Sequence, residues 1–318
     1  MNDTILLFGP TASGKTDLSI ELAQQINGEI ISADSMQVYR YMDIGTAKPT
    51  KEQRKKIPHH LIDIVDPDEE WTVSDFIQRS NRFIREIREK GKTPMIVGGT
   101  GLYLNAFING YSFPIAAKNE KIRERLSKMG TADLYKKLQD VDADAAKKID
   151  KNDKKRIIRA LEVYEQTGMP ISRLQRNNVG AGRDRPLRLI CLDLDRTILY
   201  DRINLRVDKM ITDGLIDEVK SLLSKYGKVR ANDNSPLPSL QALGYKETIG
   251  YLEGKYGLDE MTGLIKQKTR NFAKRQLTWF KRFENVTWID APHTQYEQCA
   301  GTYPPAGSLL SCIFRKTA

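Results

Sequence analysis

The sequence predicts an α/β fold, a parallel sheet covered by helices and interrupted by an all-helical insertion. Three observations point there. Short apolar runs alternate with amphipathic stretches over the first hundred residues, the first run ends in a glycine-rich turn that opens a helix, and the alternation stops near Phe113-Pro114 and resumes at Leu187. Buried parallel strands read as near-continuous hydrophobic runs, and the helices between them cover both faces.

Residues 4–8 form the first predicted strand, ending at Gly9, and residues 16–25 the first helix, with Leu18, Leu22 and Ile26 on one face. Strands follow at 28–32 and 61–65. Thr72, three residues before Asp75, is a capping signal for a helix running to about residue 90, and 93–97 is a further buried strand. Residues 114–189 then hold short helices rich in Lys, Arg and Asp, with no strand and with loops at Gly130, 150–153 and 180–182. An apolar strand pattern returns at 187–194, so the helical segment is placed inside the α/β domain. Helices from about 197 to 283 and a short strand at 286–289 complete the pattern. The expected organisation is a core in two parts, 1–113 and 190–290, around a basic helical insertion at 114–189, with an irregular tail at 291–318.

The 318 residues are enough for about two domains, and 40% hydrophobic content supports a sizeable core. No run approaches the roughly 20 apolar residues that span a bilayer, and the N-terminus lacks a signal-peptide pattern; a cytoplasmic protein without a membrane partner is expected. Cys191, Cys299 and Cys312, with His59, His60 and His293, match no zinc or redox spacing. Net charge is +10, and 114–189 carries 19 Lys and Arg against 11 Asp and Glu. That excess is either a solvated helical surface or a patch that neutralises nucleic-acid phosphates.

Gly9-Pro10-Thr11-Ala12-Ser13-Gly14-Lys15-Thr16 fits G-x-x-x-x-G-K-[ST] between a predicted strand and a predicted helix. Its N–H groups and helix N-terminus face an anion, Lys15 adds a point charge, and the Thr16 hydroxyl can reach a magnesium ion. The fold class is therefore a P-loop NTPase-like parallel sheet with an inserted all-helical domain and a helical C-terminal part. An acidic residue expected at the end of a neighbouring strand is missing, since Met95-Ile96-Val97 runs into Gly98-Gly99-Thr100-Gly101; Asp34 and Asp193 are the carboxylates that could stand in. Asp34 follows the second strand, at the sheet edge where α/β proteins bind ligands. It reads equally as a proton acceptor for an attacking nucleophile or as a backbone cap.

GPTASGKT at 9–16, DSMQVYR at 34–40, MDIGTAKP at 42–49, VGGTGLY at 97–103, RALEVYEQTG at 159–168, SLQALGYKE at 239–247 and TRNFAKRQLTWFKR at 269–282 occur in this order. Together they resemble the bacterial tRNA dimethylallyltransferases over about residues 4–290. The resemblance implies a monomeric enzyme that transfers the dimethylallyl group of dimethylallyl diphosphate to N6 of adenosine 37, 3′ of the anticodon in tRNAs reading U-initial codons. Mg²⁺ is the implied cofactor and the tRNA anticodon stem-loop the implied partner. Gly9 and Thr11 to Thr16 would hold the diphosphate with Arg206, Thr16 would meet the magnesium, and Asp34 would be the general base. Ser35, Met36, Gln37 and Thr100 would lie beside the target nucleotide. Arg123, Lys155, Arg156, Arg159, Gln241, Lys246, Lys274 and Arg275 would contact the tRNA. Adenine would have to leave its stack to reach such a site. The tail from Ala291 departs from the family pattern, and no zinc is expected at Cys299 or Cys312.

Residues 264–283 carry seven Lys and Arg and no acid, and their aromatic residues read as core more readily than as base-stacking groups. Two competing activities follow from the loop alone: a small-molecule or nucleotide kinase using ATP, and an RNA-binding NTP switch without transfer chemistry.

Overall fold

A computed structural model describes residues 3–111, 118–176, 187–229 and 236–290. In chain order the elements begin with β1 (Thr4–Phe8), α1 (Lys15–Gln25), β2 (Gly28–Ala33), α2 (Lys51–Lys56), β3 (His59–His60), α3 (Val73–Glu89), β4 (Thr93–Gly98) and α4 (Gly101–Ile108). The helices α5 (Glu120–Ser127), α6 (Thr131–Val141), α7 (Ala143–Ala146), α8 (Lys154–Thr167) and α9 (Ile171–Arg176) come next. The chain ends its described part with β5 (Leu187–Asp193), α10 (Arg196–Thr212), α11 (Leu215–Tyr226), α12 (Tyr245–Leu252), α13 (Leu258–Phe280) and β6 (Val286–Asp290).

The six strands among the described residues form one parallel sheet in the order β3-β2-β4-β1-β5-β6. β1 is central and wholly buried, which is why its sequence is TILLF without alternation. One side of the sheet packs Ile5, Leu7, Ile30, Met95 and Ile190 against Leu18, Leu22 and Ala23 of α1. The predicted cap of α3 is present as a capping box, Thr72 accepting from Asp75 N–H and Asp75 accepting from Thr72 N–H, and the helix buries Phe76, Ile84 and Ile87. A second core joins Tyr39 and Met42 to Val207, Leu215, Val219, Tyr245, Met261 and Ile265 of the C-terminal helices.

The predicted strand at 61–65 is a correction. The strand is His59–His60, and Leu61 (φ 63°) and Asp63 (φ 55°) are left-handed, which no strand accommodates. Asp63 is held in that turn by Lys48 Nζ and Arg54, both at 2.6 Å, and only Val65 returns to a bridge with Tyr39.

The chain divides into two compact units, one formed by 106–184 and the other by what precedes and follows it. The 106–184 unit has its own core of Leu126, Leu134, Leu138, Ile157, Ala160 and Leu161. At its centre Glu162 is fully buried and accepts from Arg123, Arg159 and Asn119 N–H. The expected boundary at Phe113-Pro114, the loop at 180–182 and the tail at 291–318 lie outside the described residues. Among the described residues, no helix is long and apolar enough to cross a membrane.

Candidate active site

The phosphate loop leaves β1 at Phe8 and closes on itself before α1. Ser13 N–H donates to Pro10 O at 3.2 Å, and Ala12 (φ 64°) and Gly14 (φ 86°) turn the backbone through the left-handed region. An alanine held there carries strain that the surrounding structure must stabilise, a pattern common where backbone is shaped for a ligand. Lys15 Nζ folds back on Pro10 O at 2.6 Å and Ser13 Oγ at 3.3 Å, and Arg206 of α10 donates to Thr11 Oγ1 at 3.3 Å. Burial, and then the Arg206 guanidinium, pull the Lys15 ammonium down to about 7, with Asp34 opposing them. Two cations thus compete at one spot, which an incoming dianion would reconcile.

Asp34 follows β2 at the carboxyl edge of the sheet. Its Oδ1 accepts from Met36 N–H at 2.8 Å and Gln37 N–H at 3.2 Å, so the capping reading is realised on a turn. The same side chain lines the cleft of the phosphate loop. Thr100 sits directly beside it: Thr100 N–H donates to Ala33 O at 3.3 Å, and its Oγ1 accepts from Ser35 N–H at 3.1 Å. This contact needs glycine at the end of β4, because a Cβ on Gly98 would lie 2.3 Å from Ala33 O.

The cleft encloses about 720 Å³ counting its open mouth, and Thr11 to Thr16, Asp34 and Arg206 all line it. Two further walls come from the motifs at 42–49 and 269–282, whose lining residues carried no expected role in the cleft. Thr46, Ala47 and Pro49 form one, held by Gln37 Nε2, which donates to Thr46 O and Ala47 O, and by Glu218, which accepts from the N–H groups of Asp43, Ile44 and Gly45. Gln37, expected at the nucleotide, itself lines the cleft, with its amide hydrogen-bonded to Ser32, Thr46 and Ala47 of its own chain. Phe272 and Gln276 of α13 form another. The aromatic residues of this helix divide: Phe280 is fully buried, as the core reading expects, whereas Phe272 is 37% exposed at the cleft. No local signal separates them.

Other expected tRNA contacts lie elsewhere. Gln241 and Lys246 are exposed around a shallow pocket with Lys228, Lys255 and Lys268, and Lys274 and Arg275 are exposed on α13. In the 106–184 unit Lys155 and Arg156 are exposed on α8. Arg123 and Arg159 are instead bound to Glu162; burial pushes that carboxyl up, but hydrogen bonds led by Arg123 outweigh it and hold it below the usual range. No grouping of three or more His, Cys, Asp or Glu able to hold a metal occurs among the described residues. The Thr16 hydroxyl, a single hard oxygen donor beside a phosphate cradle, fits a magnesium ion that keeps water and phosphate oxygens as its other ligands.

The IPP transferase family profile matches residues 37–283. The chain belongs to this family. A second profile, isopentenyl transferase, matches residues 2–64, so family likeness runs through the cleft from the phosphate loop to α13. A tRNA dimethylallyltransferase from Alkaliphilus oremlandii (strain OhILAs) is 48% identical over 315 residues, covering 98% of this chain and 96% of the relative. A protein of the same name from Thermotoga neapolitana is 49% identical, over 93% of this chain and 95% of its own. Among family structures, the full-length tRNA isopentenylpyrophosphate transferase of Bacillus halodurans shares 42% identity and a TM-score of 0.67, covering 93% of this chain and 92% of its own. A eukaryotic dimethylallyltransferase solved acting on tRNA shares 30% identity and a TM-score of 0.79, covering 92% of this chain and 75% of its own.

Proposed function

We propose that this IPP transferase family member is a tRNA dimethylallyltransferase that moves the dimethylallyl group of dimethylallyl diphosphate to N6 of adenosine 37, releasing diphosphate. The observation that carries this reading is that a phosphate cradle and a carboxylate line one cleft, with Lys15, Thr16 and Arg206 on one side and Asp34 on the other. The adenine N6 lone pair forms a bond to C1 of the allyl group, the C1–O bond breaks, and its electron pair leaves on the diphosphate. The N6 proton passes to Asp34. Growing negative charge on the bridging oxygen is met by the loop N–H groups, Lys15 and Arg206, donors fixed before the reaction begins and therefore stabilising the transition state more than the ground state. Magnesium bound at Thr16 would add charge neutralisation on the diphosphate. An attacking water has no part in this scheme, which accords with a β4 that ends in glycine rather than in a carboxylate.

The acceptor is RNA by kinship with relatives named for tRNA, and the exposed cations Lys155, Arg156, Lys274 and Arg275 supply phosphate contacts for it. The test is incubation of the protein with Mg²⁺, dimethylallyl diphosphate and unmodified tRNA reading U-initial codons, without ATP, followed by mass spectrometry of the nucleosides. The expected product is adenosine heavier by one prenyl group. No such product here, together with ATP consumption in a parallel incubation supplied with ATP, would move the assignment to a kinase.

A further inference from the structure

Gln276 is a buried, uncharged side chain with no part in the bond-making above. It lies on α13, 5% exposed, and its two ends reach two different loops. Oε1 accepts from Thr11 N–H at 2.9 Å, and Nε2 donates to Gly99 O at 2.8 Å. Thr11 belongs to the diphosphate cradle, where it also meets Arg206. Gly99 precedes Thr100, whose N–H and hydroxyl bind Ala33 and Ser35 on either side of Asp34. The approach is close enough that a Cβ on Gly99 would lie 2.4 Å from Gln276 Nε2. Answering an N–H and a C=O at once requires a side chain with an acceptor and a donor at its tip, which an amide has and an ionised carboxylate or a thioether lacks.

We infer that Gln276 is a positioning residue that sets the spacing between the donor cradle and the acceptor edge, an inference that rests on the prenyl-transfer reading. Joining two substrates depends on holding the reacting atoms near contact distance, and a displacement of about 1 Å can cost on the order of 100-fold in rate. Each loop binds its own substrate with its own groups. Losing Gln276 should therefore spare binding at each half and slow the step that needs both.

The experiment compares wild type, Gln276→Met and Gln276→Glu with Mg²⁺, dimethylallyl diphosphate and tRNA, alongside thermal melts. For Gln276→Met we expect kcat to fall by about 10- to 100-fold while KM for each substrate stays within about threefold. The glutamate variant gives an independent readout. Ionised, it accepts from Thr11 but faces the Gly99 carbonyl without a proton; protonated, it regains the donor, and burial raises its pKa towards the working range. Its rate relative to wild type should rise as pH falls from about 8 to about 6. The titratable groups lining the same cleft, Lys15, Asp34, His59 and Arg206, are common to both proteins and largely cancel in that ratio. A Gln276→Met kcat within about twofold of wild type, or a KM rise with kcat unchanged, overturns the inference while prenyl transfer stands. Should the methionine variant fail to fold, a ratio for the glutamate variant that stays flat with pH overturns it equally. A wild-type protein that leaves tRNA unprenylated overturns the functional reading itself, and that result is read from a different arm.

Discussion

Lys15 and Asp34 face one another across the cleft with different duties, and their variants should separate. Lys15→Ala removes a charge aimed at the diphosphate, so the donor KM should rise by roughly tenfold or more, checked by binding of inorganic diphosphate. Asp34→Asn keeps a side-chain acceptor for Met36 and Gln37 but cannot take the N6 proton; kcat should fall by about 100-fold or more with both substrates still bound, as single-turnover kinetics would show. An Asp34 variant of wild-type rate would remove it from the mechanism. At this scale legibility in the sequence tracked distance along the chain. The phosphate loop is eight consecutive residues whose spacing states its geometry, and the pairing of Asp34 with Thr100 came through family resemblance. Gln276 left no trace of its own, because its partners lie 265 and 177 residues away and glutamine on a helix has no distinctive pattern.

Among the elements, strands buried on both faces were easiest to read. β1 is almost wholly apolar, and β2, β4 and β5 are built around apolar centres at Ile30-Ile31, Met95-Ile96-Val97 and Leu189-Ile190-Cys191-Leu192; the structure places each within a residue or so of its expected bounds. The false strand at 61–65 has a similar apolar composition, but positive φ angles at Leu61 and Asp63 break it, and the ion pairs that Asp63 makes with Lys48 and Arg54, 15 and 9 residues away, leave no periodicity. The helix α2, KEQRKK, buries nothing and so had no hydrophobic face to betray it; its only signal was the Thr50–Gln53 capping box. Strand β2 also carries a testable charge. Glu29 is 2% exposed, and although burial pushes its carboxyl up, hydrogen bonds from Lys92 and His60 and the charges of Lys90 and Lys92 bring it down to about 2. A carboxyl with a depressed folded pKa stabilises the fold above its unfolded value near 4.5 and loses that contribution as pH falls towards 2. Glu29→Gln should cost up to about 3 kcal/mol at neutral pH, and urea melts should show the gap closing below about pH 4.

For the whole molecule, the basic character of the insertion was evident from composition, but composition cannot say which cations are committed internally. Lys155 and Arg156 are exposed, whereas Arg123 and Arg159 neutralise the buried Glu162. Removing Lys155 and Arg156 should weaken tRNA binding and reduce the slope of log K against log salt by about 1 to 2, with little change in melting temperature. Arg159→Ala should act in reverse order, lowering thermal stability first, because it leaves a buried carboxylate short of a partner. An unchanged salt slope in the first variant would return that face to a merely solvated surface.

The strand order has one more consequence, for the order of events as the chain is made. β1 is synthesised first yet sits at the centre of the sheet, and its two neighbours, β4 and β5, are separated by residues 99–186. Closing so long a crossover adds little to the equilibrium cost, since loop entropy grows only logarithmically with length. The delay is kinetic. Until the ribosome has delivered the insertion and β5, this buried internal strand has one open edge, and a nascent chain stalled there offers that edge to any other strand it meets.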